Sequence, residues 1–183
     1  MEKFKIEHIK TIIGLGNPGR QYYKNRHNIG FRIIDELAQI FSAKWINLKD
    51  MNFVKINIDL GVNIHEIFLI KPNTFMNNSG DIVPFLNKKG IKIEEVLVIH
   101  DELQKKFGDM SIKFGGSARG HNGLRSIIEK AGSDFWRLRF GIGRPEQKSE
   151  VGNYVLSNFS KEEEDQLVSL IPKAINLILN KSI

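Results

Sequence analysis

Apolar and polar residues alternate in two stretches, FVKINIDL (53–60) and IHEIFLIKP (64–72), and the GVN between them closes the pair into a predicted β-hairpin. KTIIGLG (10–16) reads as a short apolar strand ending in glycines, and EVLVIHDEL (95–103) as a buried strand with charges at its C-terminal end. MSIKFGG (110–116) and WRLRFGIG (136–143) complete the predicted strands. Ile34, Leu37, Ala38 and Phe41 recur at helical spacing and predict a helix over 27–41 that opens beside His27. SGDIVPFLNKKG (79–90) predicts a helix stopping at Gly90, with Pro84 its weak point, and HNGLRSIIEKAG (121–132) a shorter one. Residues 160–180 open with a Ser160/Glu163 capping box and run as an amphipathic helix, expected to break or kink near Pro172. This order predicts a mixed α/β fold. GNPG, KPNTFMN and HDEL all fall at strand ends, where ligand sites of open α/β sheets gather.

Length and charge narrow the picture. The 183 residues fit one domain, residues 1–183, with no repeat, low-complexity tract or linker. The absence of cysteine excludes disulfides and thiolate chemistry and fits a reducing compartment. The N-terminal stretch lacks the apolar core and cleavage site of a signal peptide. No apolar run approaches the roughly 18 residues of a membrane span. The net charge of +6 is compatible with a polyanionic partner, and equally with a basic protein that has none.

Several motifs compete for the chemistry. Gly14–Gly19 matches G-x-G-x-x-G, but RQYYKNR delays the helix, and the acidic residue expected to end a second strand, Asp35, falls inside a helix. A tight turn presenting Asn17 explains the glycines as well. Gly115-Gly116-Ser117-Ala118-Arg119 nearly spells a nucleophile elbow, yet Arg119 stands where the elbow requires glycine. His100-Asp101-Glu102 offers metal-ligand types, but consecutive strand residues face opposite ways. What remains is a histidine, His27, for which Asp101, just past an apolar strand, is a candidate orienting acid and equally a candidate helix cap or turn residue. Asn17, Asn77 and Asn122 can donate and accept at once, although asparagine is common in turns. Lys113, Arg119, Arg125, Arg137, Arg139, Arg144 and Lys148 concentrate in the second half, as a phosphate grip or a solvated face.

Taken together, GLGNPGRQYYKNRHNIGF (14–31), KPNTFMNNSG (71–80), HDEL (100–103), GGSARGHNGLRSI (115–127) and RLRFGIGRP (137–145) resemble the bacterial-type peptidyl-tRNA hydrolase family, in its order and roughly its spacing, from residue 11 to about 159. The resemblance implies a monomeric, cytoplasmic, single-domain α/β protein with a central mixed β-sheet sandwiched between helices. It implies hydrolysis of the ester joining a peptide to the 3′ ribose of tRNA, recycling tRNA for translation, with no metal, cofactor or covalent intermediate. By position, His27 would activate water, Asp101 would orient it, and Asn17 would bind peptide or position the water. Tyr22, Met76, Asn77, His121 and Asn122 would line the substrate cleft. Lys113, Arg139 and Lys148 would meet phosphates near the acceptor stem and 3′ CCA end. Two residues depart from the family pattern: Arg119 stands where glycine is usual, and Gln104 where an acid is common. The alternatives are a non-catalytic RNA-binding protein on the same fold, which would need none of the catalytic set, and a nucleotide-cofactor enzyme resting on the glycine motif alone.

Overall fold

A computed structural model describes residues 3–180 of the chain, and the ends of the expected domain 1–183 lie outside the described residues. The strands are β1 (Thr11–Gly14), β2 (Ile46–Asn47), β3 (Met51–Asp59), β4 (Ile64–Pro72), β5 (Val96–Glu102), β6 (Met110–Phe114) and β7 (Trp136–Gly141). The helices are α1 (Ile29–Ile40), α2 (Val83–Lys88), α3 (Asn122–Ala131), α4 (Val151–Leu156) and α5 (Lys161–Ile178). Among the described residues the strands form one seven-stranded mixed sheet in the order β2-β3-β4-β1-β5-β7-β6.

Every residue of β1 and β5 is buried, because helices cover both faces of the sheet. Alternate residues of these strands enter different cores. Ile12, Leu97 and Ile99 pack with Ile33 and Leu37 of α1 and Ile175 and Ile178 of α5. Ile13, Val96 and Val98 pack with Leu86 of α2 and Leu124 and Ile127 of α3. The sheet is therefore sandwiched, as the resemblance implies. β4, β1, β5 and β7 run parallel, so their carboxyl ends share one edge and bring GNPG, KPNTFMN and HDEL together. The hairpin pairs as its alternation predicts, with Phe53 opposite Ile70 and Asp59 opposite Ile64.

The glycines after β1 serve packing. A Cβ on Gly14 would lie 2.5 Å from the Gly30 carbonyl oxygen, and one on Gly30 would lie 2.5 Å from that of Ile99. A Cβ on Gly16 would enter the Phe31 ring at 2.6 Å. This close approach seats the start of α1 directly on the ends of β1 and β5, and it accounts for the G-x-G spacing without a dinucleotide.

Three local expectations need correction. His27 is not in an α-helix: it sits in a buried 3-10 turn, Arg26–Asn28, ahead of α1. The helix expected over 79–90 is a 3-10 segment, Met76–Ile82, followed by the short α2. Pro84 lies in the first turn of α2, where its missing N–H leaves no bond unmade. Helix α5 runs unbroken through Pro172. The carbonyl that proline leaves unbonded is that of Val168, whose residue is 78% exposed, so water can satisfy it. Strand β2 and helix α4 have no counterpart in the predicted elements.

Candidate active site

The turn carrying His27 is fixed on both sides. Arg26 donates to Ser157 Oγ at 3.2 Å, to the Asn158 carbonyl and to Glu163 Oε2 at 2.6 Å, with its guanidinium 4.6 Å from the Tyr154 ring centre. Asn25 Nδ2 donates to Asn158 Oδ1 at 2.8 Å. On the other side Asn28 clasps the Asn17 backbone. Its Oδ1 accepts the Asn17 N–H at 2.9 Å and its Nδ2 donates to the Asn17 carbonyl at 2.8 Å. Asn17 Oδ1 in turn accepts the Met76 N–H at 2.8 Å. That bond fixes the amide's orientation and leaves Nδ2 as its remaining donor.

His27 Nδ1 lies 2.8 Å from Asp101 Oδ1 at the end of β5, and His121 Nε2 lies 3.0 Å from the same oxygen. A carboxylate only accepts, so both nitrogens carry the proton. His121 Nδ1 accepts the Leu124 N–H at 3.3 Å, capping α3. The tautomers follow: His121 has both nitrogens engaged, whereas His27 keeps an unprotonated Nε2 available as a base. Burial favours a protonated Asp101, but the His27 and His121 charges and hydrogen bonds outweigh it and hold the carboxyl well below its usual range. Burial likewise lowers the His27 pKa, and the Asp101 charge and hydrogen bond reverse this and raise it above 6.5. His100, its Nδ1 donating to the Asp101 carbonyl at 2.7 Å, is pushed down to about 3 by burial and by His121, and stays neutral.

The donor atoms of His27, Asp101 and His121 lie within 4.8 Å of one another, a spacing compatible with a cation. A cation there would have to displace the two N–H hydrogen bonds that Asp101 accepts.

His27, Asp101, His121 and Asn122 line a cavity of about 420 Å³. Its lining is mostly cationic: Lys113, Arg119, Arg137, Arg139, Arg144 and Lys148 border it, with the carboxylates of Asp101 and Glu102. Val151 and Val155 of α4 close one side. Arg139 Nε donates to Glu102 Oε2 at 2.9 Å. Buried Arg137 donates to the carbonyls of Ser117 (2.7 Å) and Gly116 and so supports the 115–120 loop.

Lys113, Arg139, Lys148, Asn122 and His121 thus join His27 and Asp101 around one space. Asn17, Tyr22, Met76 and Asn77 do not line it. Met76 is buried against Gly123, where a Cβ would lie 2.5 Å from its Sδ. Gly80 donates to Ser126 Oγ at 2.9 Å, pinning the Met76–Ile82 segment to α3. Tyr22 meets Phe75 edge-on with ring centres 6.1 Å apart, and Asn77 is exposed. Sequence reasoning missed Asn28, Arg26 and Glu102 as supports of the site. Arg26 and Asn28 flank His27 directly, and that adjacency is the signal that could have found them.

The sequence model of the family described as Peptidyl-tRNA hydrolase matches residues 11–182. A protein of that name from Sulfurimonas denitrificans is 44% identical over 178 residues, 94% of this chain and 91% of that one. Its namesake from Aquifex aeolicus is 42% identical over 173 residues, covering 93% and 88%. The crystal structure of peptidyl-tRNA hydrolase from Acinetobacter baumannii superposes with a TM-score of 0.86 at 34% identity, covering 97% of this chain and 92% of that one.

Proposed function

The chain belongs to the peptidyl-tRNA hydrolase family, and on that premise we propose that it cleaves the ester between a peptide, or an N-blocked amino acid, and the 3′ ribose of tRNA, using a water activated by His27. The observation that carries the mechanism is the 2.8 Å His27–Asp101 contact at the wall of a cation-lined cavity. His27 Nε2 takes a proton from water as the oxygen adds to the ester carbonyl carbon. Asp101 keeps the ring in the required tautomer and stabilises its protonated form. Asn17 Nδ2 donates to the carbonyl oxygen as it becomes an oxyanion. The tetrahedral intermediate collapses with cleavage of the bond to the ribose, and His27 returns its proton to the departing 3′ oxygen. An ester has a better leaving group than an amide, so no covalent intermediate is needed.

Asn122 engages the ribose end of the substrate, and Tyr22, Met76, Asn77 and His121 border the peptide. Lys113, Arg139 and Lys148 hold phosphates of the acceptor stem and CCA end. No metal or cofactor enters the scheme, since the hydrogen bond that Asp101 accepts from His27 Nδ1–H is what leaves Nε2 as the base. The protein acts as a cytoplasmic monomer in translation. Among the described residues no helix is long and apolar enough to cross a membrane.

Rapid-quench hydrolysis of N-acetyl-aminoacyl-tRNA tests the scheme. Free tRNA and N-acetyl amino acid are expected to appear together. A burst of tRNA ahead of the acid would mean an acyl-enzyme and overturn direct attack by water.

A further inference from the structure

We propose that Arg119 is an additional phosphate-binding residue at the rim of the cavity, and that Gln104 positions it without neutralising it. The inference rests on the reading of the substrate as a tRNA ester. Arg119 and Gln104 are the two departures from the family pattern noted in the sequence, and in the fold they meet: Arg119 Nη1 donates to Gln104 Oε1.

The surroundings explain what this contact leaves free. The Gln104 backbone N–H donates to Glu102 Oε1 at 3.0 Å, and the other oxygen of Glu102 accepts Arg139 Nε at 2.9 Å. Both oxygens of the carboxylate nearest this rim are therefore engaged. Asp101, the other carboxylate of the cavity wall, is occupied by two histidines. Arg119 has a neutral amide as its partner, so its direction is set while its charge and remaining N–H donors stay available. An acid at 104 would hold the guanidinium more tightly and cancel its charge.

The loop is built to keep the arginine there. Gly115, Gly116 and Gly120 have φ of 65°, 111° and 87°, and Arg119 itself sits at φ 48°, a conformation side chains other than glycine rarely adopt. Arg137 supports the loop from below through the carbonyls of Gly116 and Ser117. Burial, with the neighbouring charges of Arg139 and Arg119, lowers the Arg137 pKa to about 10. Three guanidiniums clustered around one committed carboxylate form a surface suited to an anion, and the planar fork of arginine matches a phosphodiester. The cavity joins this rim to His27, so an anion bound here belongs to the same substrate as the scissile ester.

Two variants and two readouts test the proposal. Arg119→Gly removes the side chain at a position whose backbone suits glycine, so the fold should keep its melting temperature. KM for N-acetyl-aminoacyl-tRNA is expected to rise about three- to tenfold, with kcat within about twofold. Binding of deacylated tRNA, followed against NaCl, should lose about 0.7–0.9 from its log–log salt slope, one phosphate contact. Gln104→Glu separates the two roles. If the pair served only to tie the loop, the acid would tighten the tie and leave KM and slope intact. As a neutralising partner it should instead raise KM and flatten the slope in the same direction as Arg119→Gly. Wild-type KM and slope in Arg119→Gly would overturn the phosphate contact, and wild-type values in Gln104→Glu would overturn the role of Gln104. Should wild type fail to cleave the ester, the functional reading falls, and the salt slope alone decides Arg119.

Discussion

Replacing Asn28 with alanine removes the clasp that holds Asn17. Asn28 is 1% exposed and Asn17 6%, so no bulk water replaces what is lost. The Asn17 N–H and carbonyl, bonded at 2.9 and 2.8 Å in the native fold, are both left unpaired. An unsatisfied buried polar group costs about 1–3 kcal/mol, so the two left by Asn28→Ala put its cost at roughly 2–6 kcal/mol. For a chain of this size each kcal/mol lowers Tm by about 2–4 °C, so the melting transition should fall by roughly 4–24 °C. Activity falls further than stability accounts for. The amide that accepts the Met76 N–H at 2.8 Å loses its anchor, and a catalytic donor displaced by about 1 Å can cost up to about 100-fold in rate. Asn28→Asp keeps one acceptor but sets a second oxygen against the Asn17 carbonyl and buries a charge, so its melting temperature should fall at least as far as that of Asn28→Ala. Circular-dichroism melts, with kcat on N-acetyl-aminoacyl-tRNA below the transition, provide the assay. A Tm within about 1 °C of wild type and an unchanged kcat would refute the reasoning.

Other consequences follow from the same geometry. Because the His27 pKa is raised above 6.5, kcat/KM should climb with pH through a limb centred above that value. Asp101→Asn keeps the burial and removes the anion, so the midpoint should drop below 6.5 and the plateau fall by about 10²–10⁴-fold; an unmoved midpoint would separate the two residues. The raised pKa also means that protonated His27 stabilises the fold below its unfolded pKa, an effect lost as pH rises through the folded value. His27→Ala should therefore lose more stability near about pH 5.5 than near about pH 9, measurable by urea melts. Gly30→Ala drives a Cβ to 2.5 Å from the Ile99 carbonyl and should cost about 1–3 kcal/mol or more, against little change for Gly61→Asn in the open turn of the hairpin. EDTA should leave hydrolysis intact, whereas zinc ions should inhibit by binding His27, Asp101 and His121; loss of activity on chelation would contradict the metal-free scheme.

The hairpin and the apolar strands were legible because period-two alternation and short apolar runs are local signals. The Ser160/Glu163 capping box was legible for the same reason, and the structure makes both of its bonds. Pro84 and Pro172 misled because proline acts through one particular carbonyl. In α2 it falls in the first turn, and in α5 the affected carbonyl belongs to an exposed residue. Helix α4 was invisible: it spans only six residues, Val151–Leu156, too few to display a period. At the site, His27 and Asp101 lie 74 positions apart, and no spacing rule joins them. Their pairing came from motif order, whereas the clasp between Asn28 and Asn17 and the Arg119–Gln104 contact depend on how α1 and the 115–120 loop dock. Adjacency to His27 and departure from the family pattern single out Asn28, Arg119 and Gln104, but local sequence does not show which residues they touch.

The central claim is that His27 is the base of an ester hydrolase. Single-turnover cleavage of N-acetyl-aminoacyl-tRNA by wild type and His27→Ala, with tRNA affinity measured in parallel, tests it most directly. Cleavage should fall by about 10²-fold or more while affinity holds. Equal cleavage rates would remove His27 from the mechanism, and a wild type that binds tRNA without cleaving it would leave an RNA-binding protein on a hydrolase fold.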